Sequence, residues 1–498
     1  MKTSPKITPE TVPRSARPGL VLACVSACTV LVISLVAAIN LAVPMIAASE
    51  LRPDSAELLW IVDAYIVVFA CLVIPGGAAG DRFGRKGMLL TGLVTFAVGA
   101  AVSAVSVTVP VMLIGRVLTG LGAALVLPNG LAVLVHATAP ERRGRALALW
   151  AAVTGVAGIV GNIGGGALMS VGSWRSLFVA IVPIALLCGL WVLLAAPRSG
   201  RHSRSLDPAG TALFVAAIVA LLVGIIEGPA RGWGSAVVLI AFAFSVVLGV
   251  LWVVVELRVA HPLLDPRLFR IPLLRSAALG MLVMFFGNFG LFYLNASILQ
   301  YGRGYSVLQA GLGVFPLTLP VMFGSRYVPE LAKRIGVPAT LSAAFLATGA
   351  GLFGLSTATE QPYPVYAIWL VVIGVGITLG LPCLTAEITA ALPAEQAGVA
   401  GGLQSATREL GSALGVAVVG TALTASFTHG LPASVRAHDP VPRTIAEALT
   451  AAPAQHAEIV GAFASGAGTA LRVASIVTLV AGAVAVAGAV RSGTRRRG

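Results

Sequence analysis

A chain of 498 residues with 57% apolar and only 10% charged side chains, and a mean hydropathy of +0.95, is not a soluble globular protein, in which about a quarter of residues are charged. Its formal net charge of +14 suggests a nucleic-acid partner at first sight. However, no DNA or RNA recognition motif accompanies the cations, and loops lying beside anionic lipid headgroups account for them.

Fourteen apolar runs follow one another, at about 20–43, 57–78, 88–107, 110–135, 146–169, 175–195, 208–227, 235–256, 274–297, 306–325, 337–356, 364–388, 398–424 and 470–490. Each is close to the ~20 residues that cross a bilayer as a helix. They are continuously apolar, without the alternation in ~10-residue segments that a membrane barrel requires. The expected fold is therefore an all-α polytopic membrane protein. Residues 1–19 read as a polar cytoplasmic tail, and the first run, of ~24 residues, is too long for the core of a cleavable signal. Cys24, Cys28, Cys71, Cys188 and Cys383 all fall inside predicted spans, as small packing residues and not as a disulfide or metal framework.

Asp63 lies in Trp60-Ile61-Val62-Asp63-Ala64-Tyr65, about two turns into span 2. A carboxylate there balances desolvation against the charge of a nearby Arg. That balance suits proton coupling, while direct binding of a cation and solvation at the outer mouth are the other readings. Next comes Gly80-Asp81-Arg82-Phe83-Gly84-Arg85-Lys86. With so many charges it cannot lie in hydrocarbon, so it marks a surface hairpin, placed inside the cell by its cations. It also reads as an ordinary charged turn. Asp81 stands beside the following helix N-terminus, where an anion is favoured, and could hold an Arg of another helix as a gate between two bundles. Gly80, Asp81, Arg82, Gly84, Arg85 and Lys86 are the expected gating residues.

Arg116 lies in span 4 among Gly115, Gly120 and Gly122. An Arg in a membrane helix costs several kcal/mol unless paired or facing water, so it is a candidate charge partner for Asp63; snorkelling to the outer surface is the alternative. Span 5 contains Gly161-Asn162-Ile163-Gly164-Gly165-Gly166. Glycines weaken a helix, but in a membrane they let helices approach closely, and Gly161, Asn162, Gly165 and Gly166 are read as a helix-packing motif. No strand precedes them and no phosphate-binding loop exists in the chain. Without a metal-ligand spacing or a catalytic arrangement either, no cofactor and no enzyme activity are expected.

Residues 20–196 form one expected six-helix bundle, 197–272 a basic linker with inserted helices 7 and 8, and 273–490 a second six-helix bundle. The segment Gly324–Gly336, after span 10, is a weaker counterpart of Gly80–Lys86. Internal repeats of this kind mark transporters that bind substrate between two bundles. Asn295-Ala296-Ser297 matches a glycosylation sequon but sits inside span 9 and is discounted. Glu387, near the inner end of span 12, is a weaker candidate for proton or cation binding, as is Glu227 at the outer end of span 7. Arg408 and Glu409 are neighbours in span 13 and are not expected to face each other on a helix. A long outer loop is expected at about 425–469, and 491–498 as a basic cytoplasmic tail. With the N-terminus inside, the inner segments hold 24 of the 33 Lys and Arg, as the positive-inside rule requires for both termini cytoplasmic.

Taken in order, Gly80–Lys86, Arg116 with Gly120, the glycine-rich end of span 5, Trp174-Arg175, His261-Pro262-Leu263-Leu264-Asp265, Leu299-Gln300-Tyr301 with Gly304-Tyr305-Ser306-Val307-Leu308-Gln309-Ala310-Gly311, and Ala397-Gly398 with Arg408-Glu409-Leu410-Gly411 resemble the 14-helix drug:proton antiporter branch of the major facilitator superfamily. The stretch Trp60–Tyr65 is especially similar to multidrug exporters for quaternary ammonium compounds and dyes. The resemblance implies two six-helix bundles plus an inserted two-helix hairpin, alternating access, and proton-coupled export of amphipathic compounds. The chain departs from the pattern at three places. Leu35 stands where members often carry an acid, shortly before Asn40-Leu41-Ala42-Val43-Pro44; Asn162 replaces a proline; Thr119 replaces a glutamine. The first departure moves proton coupling to Asp63.

The function expected is thus a proton-coupled multidrug or antibiotic efflux antiporter for cationic amphipathic compounds. Its expected setting is a bacterial cell membrane, with a small-molecule drug, protons and the lipid bilayer as partners and a monomeric chain. A dedicated exporter of one host-made metabolite and a non-transporting membrane sensor or scaffold are the rivals.

Overall fold

The computed structural model describes residues 18–197, 207–259, 262, 265–392, 397–438 and 441–494. Most of the polar N-terminal tail, the basic linker after Pro197 and the end of the C-terminal tail lie outside them. No strand occurs among the described residues. In chain order the helices are α1 (Pro18–Ala47), α2 (Ser55–Phe83), α3 (Arg85–Ala104), α4 (Val109–Ala137), α5 (Pro140–Ser170), α6 (Trp174–Ala195), α7 (Pro208–Arg231), α8 (Ala236–Glu256), α9 (Pro272–Ser297), α10 (Val307–Leu312), α11 (Phe315–Gly324), α12 (Val328–Ile335), α13 (Val337–Thr357), α14 (Tyr363–Ala390), α15 (Ala397–Gly430), α16 (Ala433–Arg436), α17 (Ile445–Ala451) and α18 (His456–Thr494). Among the described residues thirteen stretches are long and apolar enough to cross a bilayer, and α5, with 31 residues, stands where the remaining span is expected.

Helix ends are closed by the side chains the sequence places there. Asp54 accepts from the Glu57 N–H at 2.8 Å while the Glu57 carboxylate accepts from the Asp54 N–H at 2.9 Å, a reciprocal cap that starts α2. Ser306 with Gln309 and Thr444 with Glu447 start α10 and α17 in the same way. Such pairs satisfy N–H groups that a helix start leaves unpaired.

Successive long helices run antiparallel, giving the molecule two faces. The basic face carries the α2–α3 turn, and Lys86 of that turn donates to the Leu193 and Ala196 carbonyls at the end of α6 at 2.9 and 2.7 Å. The opposite face carries the ends of α1, α3, α5, α9, α13 and α15. α1 to α6 pack chiefly on one another, as do α9, α11, α13, α14, α15 and α18; across the two sets, α2 meets α15, α5 meets α10 and α1 meets α9. α7 packs on α8 and rests on α2 and α15.

The α2–α3 connection is shorter than expected. Only Gly84 separates the two helices, at φ 105 and ψ 120, and the remaining residues of Gly80–Lys86 are helical. Gly336 separates α12 from α13 in the same manner, at φ 89 and ψ 150. Both conformations favour glycine because a Cβ is strained at positive φ. The second-half counterpart is therefore Gly336 itself, while most of the expected turn Gly324–Gly336 is the short helix α12. Two other expectations are corrected. The span at 306–325 is divided into α10 and α11, with prolines at the second and sixth residues of α11, where each removes a donor or crowds the preceding turn. The loop at about 425–469 is shorter, because α15 runs to Gly430 and α18 begins at His456. Polar residues such as Thr428, His429 and Glu458 end the apolar pattern without ending the helix, since helices can continue beyond the bilayer.

Arg175 ties the opposite face of the first helix set together. Its Nη1 donates to the Ala104 and Ser106 carbonyls at 2.8 and 2.7 Å, its Nε to Glu50 at 3.2 Å, and its guanidinium lies over the Trp174 ring at 4.3 Å. Arg175→Ala is expected to cost about 2 kcal/mol, since the carbonyls of Ala104, at the end of α3, and of Ser106, in the α3–α4 connection, lose a charged donor. Glu50→Gln is expected to cost less, because the carboxylate side chain is 60% exposed and exposed pairs contribute little. Its own backbone N–H, and then Arg175, hold the Glu50 carboxyl below its ordinary range. A depressed group stabilises above its unfolded value, ~4.3 for Glu, and loses that effect as pH falls through the folded value. Thermal unfolding in detergent checks both effects: the Arg175→Ala deficit persists at pH 7 and pH 3, whereas the Glu50→Gln deficit is confined to pH 7.

Candidate functional site

α4 is held against α2 by close backbone approach and by one long cation. A Cβ on Gly120 would lie 2.6 Å from the Tyr65 carbonyl oxygen, and Gly76 and Gly80 of α2 leave equally little room against Ala124 and Asn129 of α4. Asn129 Nδ2 donates to the Gly76 carbonyl at 3.0 Å. Into this seam Arg116 extends fully buried, its Nε donating to the Ile61 carbonyl at 2.7 Å and its Nη2 to the Val62 carbonyl at 3.4 Å, with the guanidinium 4.8 Å from the Tyr65 ring centre. Asp63 follows directly on that backbone and is also fully buried. Neither of its carboxyl oxygens has a hydrogen-bond partner among the described residues, and Arg116 Nη1 has none either. The two expected partners are thus both buried in the α2–α4 seam without an ion pair between them among the described residues. Arg116 is not snorkelling and Asp63 is not solvated.

At the basic face, Asp81 lies in the last turn of α2 and accepts from Arg85 Nε at 3.1 Å, across Gly84 to the first residue of α3. Arg82 is exposed and lies over the Phe83 ring at 5.4 Å. Gly80 is buried against Asn129, so Gly80 and Lys86 hold the turn on α4 and α6 respectively.

The two helix sets meet tightly at the opposite face. Gln300 Nε2 donates to the Leu41 carbonyl at 3.1 Å and the Tyr301 hydroxyl to the Pro44 carbonyl at 3.0 Å. The run in α5 presents two surfaces. Gly161 and Gly165 press on Ser34 and Ala38 of α1, while a Cβ on Gly166 would lie 3.1 Å from Leu308 Cα, and the Asn162 carbonyl faces Gly311 at 2.6 Å from where its Cβ would be. Just beneath this seal lies a cavity lined by Ala37, Asn40, Leu41, Asn162, Phe292, Asn295, Ala296 and Val314. A second cavity, sharing Asn162 and Val314, opens toward Phe315 and Thr318.

The other acids lie elsewhere. Glu387 is half-buried near the basic-face end of α14, away from Asp63, which lies toward the opposite-face end of α2. Glu227 pairs with Arg231 at 2.7 Å at the end of α7. Glu409 is 5% exposed and accepts from Arg408 Nε at 2.8 Å. Adjacent helical residues diverge at the backbone, but the long Arg side chain bends back over the Phe285 ring, 5.7 Å away, and overcomes the divergence. Glu409 is a buried acid that sequence reasoning missed, although its place inside a predicted span next to a cation is a signal that could have marked it.

The family model described as Major Facilitator Superfamily matches residues 25–416. The tetracenomycin C resistance and export protein of Streptomyces glaucescens is 32% identical over 460 residues, covering 88% of this chain and 85% of that protein. The multidrug resistance protein Stp of Mycobacterium tuberculosis (strain CDC 1551 / Oshkosh) is 32% identical over 412 residues, covering 82% of this chain and 76% of that protein. Among solved structures, a bacterial homologue of the human lysosomal transporter Spinster, inward-facing and occupied, aligns at TM-score 0.70 and 16% identity over 96% of this chain and 98% of that one; at that identity the likeness concerns the fold. With a family match over most of its length and resistance exporters at this similarity, the chain belongs to the Major Facilitator Superfamily.

Proposed function

We propose that this efflux transporter exchanges protons for amphipathic small molecules, with Asp63 as the coupling acid and Arg116 as its intermittent charge partner. The observation that supports it is the pair of buried, unjoined groups in the α2–α4 seam. An ionised carboxylate buried without a donor costs several kcal/mol, and an Arg partner offsets part of that cost. An acid that is isolated in one state and paired in another therefore binds a proton in the first and releases it in the second. Moving one charge through ~100 mV supplies ~2.3 kcal/mol, so uphill export proceeds without a nucleotide site. α2, which carries Asp63, packs on α15 of the other helix set, so motion between the sets reaches the acid directly.

The contacts that close the opposite face, Gln300 and Tyr301 on α1 and Gly166 on α10, belong to one end of an alternating-access cycle. Asp81 and the turn around Gly84 belong to the other end. The cation bias of the loops supports a cell-membrane location with the basic face and both termini inside, and the chain acts as a monomer. The resistance and export functions of the relatives support small-molecule drugs as cargo.

Two experiments test this. Asp63→Asn is expected to abolish dye efflux driven by an imposed pH gradient in vesicles while leaving expression and detergent monodispersity intact; undiminished gradient-driven efflux would sink the coupling role. Gly166→Cys with Leu308→Cys, whose backbones touch, is expected on oxidation to stop transport, with full recovery on reduction. Unchanged flux after complete cross-linking is incompatible with opening at this face.

A further inference from the structure

The cavity beneath the opposite-face seal is lined by three asparagines from three helices and, among the described residues, by no charged side chain. Asn40 is on α1, Asn162 on α5 and Asn295 on α9, so each of the two helix sets contributes. Two of the amides have a fixed orientation. Asn40 Nδ2 donates to the Val36 carbonyl at 3.0 Å, and Asn162 Nδ2 donates to the Gly158 carbonyl at 3.0 Å. A backbone carbonyl can only accept, so the nitrogens are bound to their own helices and the oxygens point away from them. Asn40 is 3% exposed, and its Oδ1 has no hydrogen-bond partner among the described residues. Asn295 is turned the other way. Its Oδ1 accepts from the Tyr366 hydroxyl at 2.7 Å, which leaves its NH2 group as the donor.

We propose that this cavity binds the uncharged, hydroxyl-bearing part of an amphipathic substrate. The Asn40 and Asn162 oxygens accept from its hydroxyl or amide protons, the Asn295 amide donates to a carbonyl oxygen, and Phe292 with Ala37, Leu41 and Val314 covers the apolar body. A buried acceptor without a donor is costly to desolvate, and a substrate hydroxyl relieves that cost where a quaternary ammonium, which has no N–H, cannot. Nor does the buried Asp63 favour a cation there, because it is outside the cavity lining and Arg116 is buried in the same α2–α4 seam. In the state described here the cavity has room for about one water molecule. The site is thus contracted between the helix sets and admits a substrate when they part. Because Asn40 and Asn162 move with one set and Asn295 with the other, a bound substrate that bridges them senses their separation.

This inference rests on the exporter reading, and the test separates the two. In vesicles with an imposed pH gradient, transport of chloramphenicol, which is neutral and carries two hydroxyls and an amide, is compared with that of tetraphenylphosphonium, a lipophilic cation without donors. Saturable chloramphenicol transport is expected, with KM raised about tenfold by Asn40→Leu, the loss of one buried hydrogen bond, and partly restored by Asn40→Gln. Wild-type competition, which needs no variant to fold, provides the second measurement: excess chloramphenicol is expected to block export of a hydroxylated dye, and tetraphenylphosphonium is not. Gradient-driven export of the cation without chloramphenicol transport overturns the neutral-substrate assignment and leaves the exporter standing. Absence of gradient-driven flux for both overturns the exporter reading and this inference with it.

Discussion

Arg116 is fully buried in a helix that lies in hydrocarbon, and its charge is tolerable because α2 offers two carbonyls to it. A buried cation of this kind needs several hydrogen bonds to offset its desolvation. That need fixes the distance and rotation of α4 relative to α2, and the glycines along the seam, Gly76, Gly80 and Gly120, are what allow the backbones to come near enough. Once α2 is fixed, Asp63 and Tyr65 are fixed with it. The isolation of Asp63 therefore follows from how Arg116 is anchored, because the guanidinium spends its best donor on the Ile61 carbonyl and not on the acid two residues later.

The same use of small residues appears at the boundary between helix sets, with a different outcome. Within a set, glycine contacts are paired with side-chain hydrogen bonds, as at Asn129 and Gly76 or Ser34 and Ala157. Between the sets at the opposite face, the atoms nearest Gly166 and Gly311 are backbone atoms, and the Gln300 and Tyr301 side chains supply hydrogen bonds across. A boundary of that composition can separate without leaving many buried polar groups unpaired. Gly84 and Gly336 serve the basic face comparably, each joining two helices through one residue at positive φ. Helices so joined are carried together, which is how α2 with α3 and α12 with α13 can move as units.

Much of this was legible in the sequence because the bilayer leaves so few options. Long apolar runs could only be spanning helices, and Asp63 and Arg116 stood out because isolated charges in such runs are rare. The boundaries were less legible, since the polar residues Thr428, His429 and Glu458 look like a loop although α15 and α18 continue through them. Gly336 was obscured by the charged residues before it, which drew attention to a turn that is in fact α12. Asn40, Asn162 and Asn295 were the hardest to read. Each is a single amide in an apolar run, and their convergence depends on how α1, α5 and α9 pack, which no local pattern records. Asn295 even sits in a sequence that reads as a sequon, and Asn162 registered as a packing residue in place of a proline, not as a polar lining group.

The inserted helices make the two seams between the sets unequal. α7 lies on both α2 and α15, with the Thr421 hydroxyl donating to the Ile225 carbonyl at 3.2 Å, and α8 outside it presents Leu239, Ile240, Phe244, Val247, Val250 and Leu251 to the surroundings. That seam is fenced by protein. Among the described residues no helix lies over the other seam, between α5 and α11, and there Ile159, Ile163, Phe315 and Thr318 border the cavity that continues past Asn162. The two flanks of the transporter therefore differ: one is covered by a pair of apolar helices, and the other leaves the junction between the sets at the molecule's surface.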